Sequence, residues 1–308
     1  MSADMKAALY TKTSSGKVLE IREVVQPVPK DNEVLIRVRA ASVNPLDWRL
    51  KRQRPGVDVA GEVIAVGRTV TQLKPGDAVF GAARGAFAEY ACASQDKVVA
   101  KLEGMTFEHA AAVPIAGLTA LQGLRDKGHL QKGQKVLING AAGGIGTFAV
   151  QIARSFGAEV TGVCSTNNVE LVHSLGAGRV IDYTRDDFTQ DNERYDLLLD
   201  NVGNRTLSDM RRVLGPNGRC IMAGASKSLW PILMRLLKAF AWSPFLTQKF
   251  TFFVAKMKRE DLVTLSSLIV AGTITPVIDR RYPLNEAAAA IGYLEGGHAR
   301  AKVVITFP

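Results

Sequence analysis

The feature that most constrains this chain is the run Val136-Leu-Ile-Asn-Gly-Ala-Ala-Gly-Gly-Ile-Gly146, continued by Thr147-Phe-Ala-Val-Gln-Ile-Ala-Arg154. An apolar strand leads straight into a turn of small residues and then into helical periodicity. Ala141, Gly143 and Gly146 occupy the three small-residue positions of the dinucleotide fingerprint, with Gly144 and Ile145 between the last two. That spacing lets the backbone approach a pyrophosphate, turns a helix N-terminus toward the anion and packs the helix on the strand. Ala141 departs from strict glycine. The pattern then repeats: strands are predicted at Lys135–Asn139, Glu159–Cys164, Arg179–Asp182, Leu197–Asp200 and Arg219–Ala223, with helical spacing between them. Such alternation predicts an α/β unit with a doubly wound parallel sheet.

The first third has a different texture. Short strands are predicted at Lys6–Tyr10, Val18–Val24, Glu33–Ala41, Gly61–Gly67 and Ala78–Phe80, punctuated by Pro27-Val-Pro29 and Lys74-Pro-Gly-Asp77, as in a compact β-rich domain. The chain turns Ala-rich and helical from about Phe107 and returns to strand character at Ala301–Phe307. The expected division is a β-rich domain at residues 1–112 and 273–308, with a nucleotide-binding domain at 113–272 inserted in it.

Composition narrows the class. Hydrophobic residues make up 47% of the 308, enough for packed cores. No apolar run reaches the ~20 residues of a membrane span, and Met1–Lys6 lacks the apolar core of a secretory signal, so a cytoplasmic protein is expected. Cys92, Cys164 and Cys220 are too scattered for a disulfide framework or a CxxC metal knuckle and read as apolar filler. A net charge of +10 favours an anionic ligand or surface. Its basic residues are dispersed and form no nucleic-acid signature, so no nucleic-acid partner is expected.

The end of the second strand of such a unit selects the cofactor. An acid there would hold the ribose hydroxyls of NAD. Val163-Cys-Ser-Thr-Asn-Asn168 has hydroxyls and amides instead, which leaves room for a 2′-phosphate and favours NADPH over NADH. Ser165, Thr166 and Asn167 are also good helix-capping residues, and both uses can coexist.

Five segments taken together resemble the medium-chain dehydrogenase/reductase superfamily, in its zinc-independent, quinone oxidoreductase-like (zeta-crystallin-type) branch. They are Asn44-Pro-Leu-Asp47, Pro55-Gly-Val-Asp-Val-Ala-Gly-Glu-Val63 with Lys74-Pro-Gly-Asp-Ala-Val-Phe80, Ala116-Gly-Leu-Thr-Ala120, the glycine turn, and Gly297-His-Ala-Arg-Ala-Lys-Val-Val304. The resemblance implies a GroES-like β-rich catalytic domain joined to a Rossmann domain. It puts Asn44 near the nicotinamide and substrate with Asp47 beside it, as the catalytic residues. Thr119 would lie against the nicotinamide, Asn201, Gly203 and Gly224 along the cofactor, and Tyr183 with Ser165 near the adenosine phosphate. The lysine that relatives often carry near that phosphate corresponds to Asn168. Asn44 stands where zinc alcohol dehydrogenases have a cysteine, and Val57 and Asp58 replace His and Glu, so no metal site is expected. His109, His129, His173 and His298 show no metal-ligand spacing. For Asn44 a turn-initiating role, and for Asp58 a structural hydrogen-bonding role, stand beside the functional ones.

Without a Lewis acid the expected acceptors are already electrophilic: quinones or α,β-unsaturated ketones. The alternatives are a zinc-free alcohol/aldehyde dehydrogenase, or an NADPH-binding sensor or membrane-associated protein with little turnover. The resemblance also implies a homodimer, with the edge strand Arg219–Ala223 pairing across subunits. Two departures stand out. Only eight residues separate Asp47 from Gly56, where relatives have a longer loop walling the cleft; either the cleft is short and open, or a mobile loop is missing here. Residues 226–258 are apolar, aromatic and basic, read as a cleft lid and subunit contact in preference to a membrane-touching patch.

Overall fold

The computed structural model of the chain describes residues 4–14, 16–223, 247–297 and 299–308. Gly224, His298 and most of the basic aromatic segment lie outside them. Contacts divide the chain into two units, Met1–Ile115 with Met257–Pro308, and Ala116–Lys256. Residues 257–272, which the sequence pattern assigns to the nucleotide domain, group with the first unit. Helix Arg259–Val270 is fastened there by Arg259, whose guanidinium donates to the carbonyls of Gln95 at 3.1 Å and Val98 at 2.7 Å.

In the first unit β1 (Asp4–Thr13) and β2 (Gly16–Val25) form an antiparallel pair. The next strands are β3 (Glu33–Val43), β4 (Asp58–Val66), β5 (Ala78–Ala82), β6 (Tyr90–Ser94) and β7 (Val98–Ala100). With β14 (Ile278–Pro283) and β15 (Lys302–Thr306) they make a seven-stranded sheet of order β14-β15-β3-β4-β5-β7, with β6 also paired to β3. Val34, Ile36, Val38, Val59, Val63, Val79, Phe87, Val303 and Ile305 fill the core between them. Gly61 shows why the Pro55–Val63 segment needs a glycine in β4. A β-carbon there would lie 2.1 Å from the Arg37 carbonyl oxygen on β3.

The second unit is a six-stranded parallel sheet. It comprises β8 (Lys135–Asn139), β9 (Glu159–Cys164), β10 (Arg179–Asp182), β11 (Tyr195–Asp200), β12 (Leu214–Met222) and β13 (Lys249–Phe252), in the order β10-β9-β8-β11-β12-β13. Renumbered within the unit this is 3-2-1-4-5-6, the doubly wound dinucleotide order, whose strand direction of growth reverses between β8 and β11. One expectation is corrected. Arg219–Ala223 does not lie at the sheet edge, because β13 pairs with β12 in register Arg219↔Lys249 through Met222↔Phe252. Thr251 and Phe252, read from sequence as part of a lid, are strand residues.

Candidate active site

The glycine turn begins at the carboxyl end of β8, beside the carboxyl end of β11, where a doubly wound sheet receives its ligand. Gly140 turns the chain with φ +79°, and the Gly140 and Ala141 N–H groups donate to the Val163 carbonyl at 3.2 and 2.9 Å. Helix Gly144–Ser155 then starts with Gly143 as its cap residue, no capping side chain and no acid in its first turn. Its leading N–H groups, at Gly144, Ile145 and Gly146, have no partner within the helix and suit an anion. A β-carbon on Gly146 would come within 2.1 Å of the Gly140 carbonyl oxygen, so this third position closes helix on turn. Ala141 is fully buried and points its methyl at Gly162 of β9, which explains why alanine is tolerated at the first position.

At the end of β11 Asp200 organises the facing turn. Its Oδ1 accepts from Asn139 Nδ2 at 2.9 Å and from the N–H groups of Val202 and Gly203 at 3.2 and 2.9 Å. This holds Asn201 beside the glycine turn, and the buried Nδ2 and Oδ1 of Asn201 have no partner among the described residues. Asn168 Oδ1 is likewise buried and unpartnered, while its Nδ2 donates to Ser165 Oγ at 2.9 Å. Buried amides without partners are uncommon in folded proteins. A cradle of small residues with two such amides fits a dinucleotide. Thr119 is buried on helix Pro114–Gln122, and Tyr183 is 56% exposed just past β10, with its N–H on the Cys164 carbonyl.

An acid missing from the sequence reading enters at the second strand. Asp182, at the end of β10, accepts from Thr166 Oγ1 at 2.6 Å and from Thr184 Oγ1 at 2.8 Å, with Arg185 at 3.7 Å. The Thr166 hydrogen bond leads in holding this carboxyl below its usual range, so it is ionised at neutral pH. Spacing along β9 could not reveal it, because it comes from the neighbouring strand.

In the first unit, sheet register gathers a buried charged network. β3 ends at Val43 and helix Pro45–Arg49 begins at once, with Asn44 as its cap. Asp58 faces Ser42 across β3 and β4, and Lys302 reaches in from β15. Lys302 Nζ donates to Asn44 Oδ1 at 2.7 Å and lies 3.6 Å from Asp58 Oδ2. Asp58 also accepts from Ser42 Oγ at 2.8 Å, Asn44 Nδ2 at 2.9 Å and the Ile115 N–H at 3.1 Å. Burial pushes the Asp58 carboxyl up and the Lys302 ammonium down, and their mutual attraction opposes both. Asp47 accepts from the N–H groups of Asn44 at 2.8 Å and Gly56 at 2.9 Å. Burial pushes it up to about 6, the two N–H donors pulling the other way.

Within this network Asn44 Nδ2 donates to Asp58 and to the Ser42 carbonyl at 3.3 Å, while its Oδ1 receives Lys302. Its amide is therefore committed inside the protein. The structural role of Asp58 as a buried hydrogen-bonding acid is the one observed. Lys302 was legible only as part of a motif, although one lysine inside Ala301-Lys-Val-Val-Ile305 is a signal that a buried acid must answer it. As a zinc site the cluster does not fit: it offers no thiolate or imidazole, and donors already occupy Asp58. Among the described residues no group of three or more His, Cys, Asp or Glu could hold a metal ion. Burial pushes the thiols of Cys92 and Cys164 up to about 11, which keeps them protonated and matches the filler reading.

The fold and cradle define a two-unit nicotinamide-dependent oxidoreductase, and comparison with known proteins agrees. The family described as "Alcohol dehydrogenase GroES-like domain" matches residues 30–103, and "Zinc-binding dehydrogenase" matches residues 175–305. The chain belongs to the medium-chain dehydrogenase/reductase superfamily, in its quinone oxidoreductase-like branch. It is 33% identical to the 2-methylene-furan-3-one reductase of Solanum lycopersicum over 98% of this chain and 79% of that one. It is 31% identical to the chloroplastic NADPH-dependent alkenal/one oxidoreductase of Arabidopsis thaliana, with the same two coverages of 98% and 79%. Among solved structures, the quinone oxidoreductase from Coxiella burnetii superposes with TM-score 0.88 at 31% identity, covering 99% of this chain and 100% of that one.

Proposed function

We propose that this protein is a zinc-free, NADPH-dependent oxidoreductase that reduces quinones or α,β-unsaturated ketones. The observation that carries the reading is the cradle at the sheet reversal, where the glycine turn meets an Asn201 amide that has no partner among the described residues. Bound there, a reduced nicotinamide dinucleotide supplies a hydride. The chain's own work is to bind and orient. Gly143 to Gly146 take the pyrophosphate, Asn201 and Gly203 hold the cofactor's flank with Gly224, and Ser165, Thr166, Asn168 and Tyr183 receive the adenosine end. Thr119 serves the nicotinamide. Asn44 and Asp47 serve the acceptor, Asn44 through the network it ties together, since its amide is already engaged. Hydride and a proton convert a quinone to a hydroquinone or saturate an enone C=C bond. No side chain is assigned as essential acid, because water or a ribose hydroxyl can deliver that proton. Relatives named for quinone and enone reduction support the acceptor class.

Ser165 and Asn168 at the end of β9 support NADPH, and Asp182 is the group that opposes it, being an ionised acid bonded to Thr166. Scattered free cysteines suit a reducing cytoplasm. No helix among the described residues is long and apolar enough to cross a membrane. In the homodimer implied by the family, β13, the edge strand among the described residues, takes the place of Arg219–Ala223.

The test is NADPH and NADH oxidation with a small quinone and an enone, in the presence of a chelator. Chelator-resistant turnover that prefers NADPH is expected. Cofactor binding without turnover on either acceptor would overturn the reading. Asp182→Asn should raise the NADPH:NADH ratio of kcat/KM about three- to tenfold, since it removes a negative charge beside the 2′ position.

A further inference from the structure

The first unit carries an open, concave cavity of about 500 Å³, within the ~300–1,000 Å³ of small-molecule pockets. Its wall carries Arg52, Arg54, Arg84 and Lys97 against two acids, Glu33 and Asp47. Several arginines elsewhere on this unit are answered: Arg37 by Glu62, Arg68 by Asp31, Arg281 by Glu108, and Arg280 by the Tyr293 ring. The side chains of Arg52, Arg54, Arg84 and Lys97 have no hydrogen-bond or ion-pair partner among the described residues.

Their backbone is well anchored. The short stretch after Asp47 runs into Pro55 to Val57, which pair with the segment holding Arg84. The N–H groups of Ala83, Gly85 and Phe87 donate to the carbonyls of Val57, Gly56 and Pro55 at 2.9, 3.1 and 3.3 Å, and Arg84 N–H donates to Cys92 at 3.3 Å. Gly85 has φ +69°, and a β-carbon there would lie 2.9 Å from Arg54 Cβ, so the Arg54 stem rests on the glycine next to Arg84. A second cavity of about 240 Å³ is also walled by Arg54 and Arg84. All four side chains are exposed and solvated, and cations gathered along one concave wall gain from an anion placed among them.

We propose that this cavity binds an organic oxyanion, a carboxylate, sulfonate or phosphate ester, and that the acceptor carries this group. The second half rests on the quinone or enone reading; the first does not.

The experiment compares 1,4-naphthoquinone with 1,4-naphthoquinone-2-sulfonate on the full chain, by calorimetric binding without cofactor and by turnover with NADPH. The sulfonate is expected to bind at least about tenfold tighter at low salt, with the advantage shrinking as salt rises. Arg54→Ala and Arg84→Ala should each remove most of that advantage and leave binding of the neutral quinone unchanged, with Gly85→Ala acting in the same direction by displacing Arg54. In turnover the sulfonate should show the lower KM at similar kcat. Equal binding of the two quinones, or an advantage insensitive to both arginine variants, overturns the cavity proposal whatever the turnover. Selective, arginine-dependent binding without turnover of either quinone upholds the oxyanion site and overturns its assignment to an acceptor.

Discussion

The two polar clusters of this molecule are built on opposite principles. In the first unit Asn44, Asp47, Asp58 and Lys302 are nearly or fully buried, and each is answered by neighbours on β3, β4, β15 or helix Pro45–Arg49. In the second unit the glycine turn leaves helix N–H groups, the Asn201 amide and one Asn168 oxygen unanswered among the described residues. A closed network spends its hydrogen-bonding capacity on shape, so losing a member is felt as stability. An open cradle keeps that capacity for a ligand, so losing a member is felt as binding.

The sharpest way to break this comparison is Lys302→Met, which leaves Asp58 buried without its counter-ion. It should cost about 3–5 kcal/mol in urea unfolding. Pairing it with Asp58→Asn should recover more than half of that loss. A single variant as stable as the parent would mean the network does not organise the unit.

Next in size is the pH dependence of Asp47. Its carboxyl rises from 3.8 to about 6 on folding, so the folded chain binds the proton more tightly. The corresponding stability is fully present below about pH 4 and lost as pH rises through about 6, up to about 3 kcal/mol in all. Asp47→Asn cannot ionise, so its Tm should gain on the parent steadily between pH 4 and 7, from a lower start because one N–H loses its acceptor. Parallel Tm curves would show that Asp47 does not titrate in that window.

On the cradle side the order of effects should reverse. A β-carbon on Gly143 would meet only the Gly140 carbonyl oxygen, at 3.4 Å. Gly143→Ala should therefore fold normally, with Tm within about 2 °C, and bind NADPH about tenfold more weakly because the methyl intrudes where backbone must approach phosphate. Gly146→Ala, with its 2.1 Å clash, should lose stability as well. The smallest effect is expected of Asn201→Ala: stability of the cofactor-free protein within about 0.5 kcal/mol, and NADPH affinity reduced about three- to fivefold, by fluorescence titration. A clear loss of stability in Asn201→Ala would mean its amide is part of a closed network after all.

Local patterns carried much of this in the chain itself. Strands Lys135–Asn139, Glu159–Cys164 and Arg179–Asp182 have the bounds expected from apolar runs, since a buried parallel strand must be continuously apolar. The glycine turn was legible because close backbone approach admits few residue types. Strands β6, β7, β13 and β14 were not, being short, half-exposed or polar, and made into strands by the neighbours they pair with.

What the sequence by itself determined is therefore what a few consecutive residues can enforce: the strand-turn-helix of the cradle, the parallel unit around it, and a turn starting at Asn44. Only the tertiary structure decided which charges meet. Lys302 stands 244 positions from Asp58 and joins it through the β15–β3–β4 register, Asp182 reaches Thr166 from the next strand, and Arg54 is set beside Arg84 by the pairing of Pro55 to Val57. Electrostatic interactions act through space, so spacing along the chain cannot reveal partners that only sheet register brings within a few ångströms.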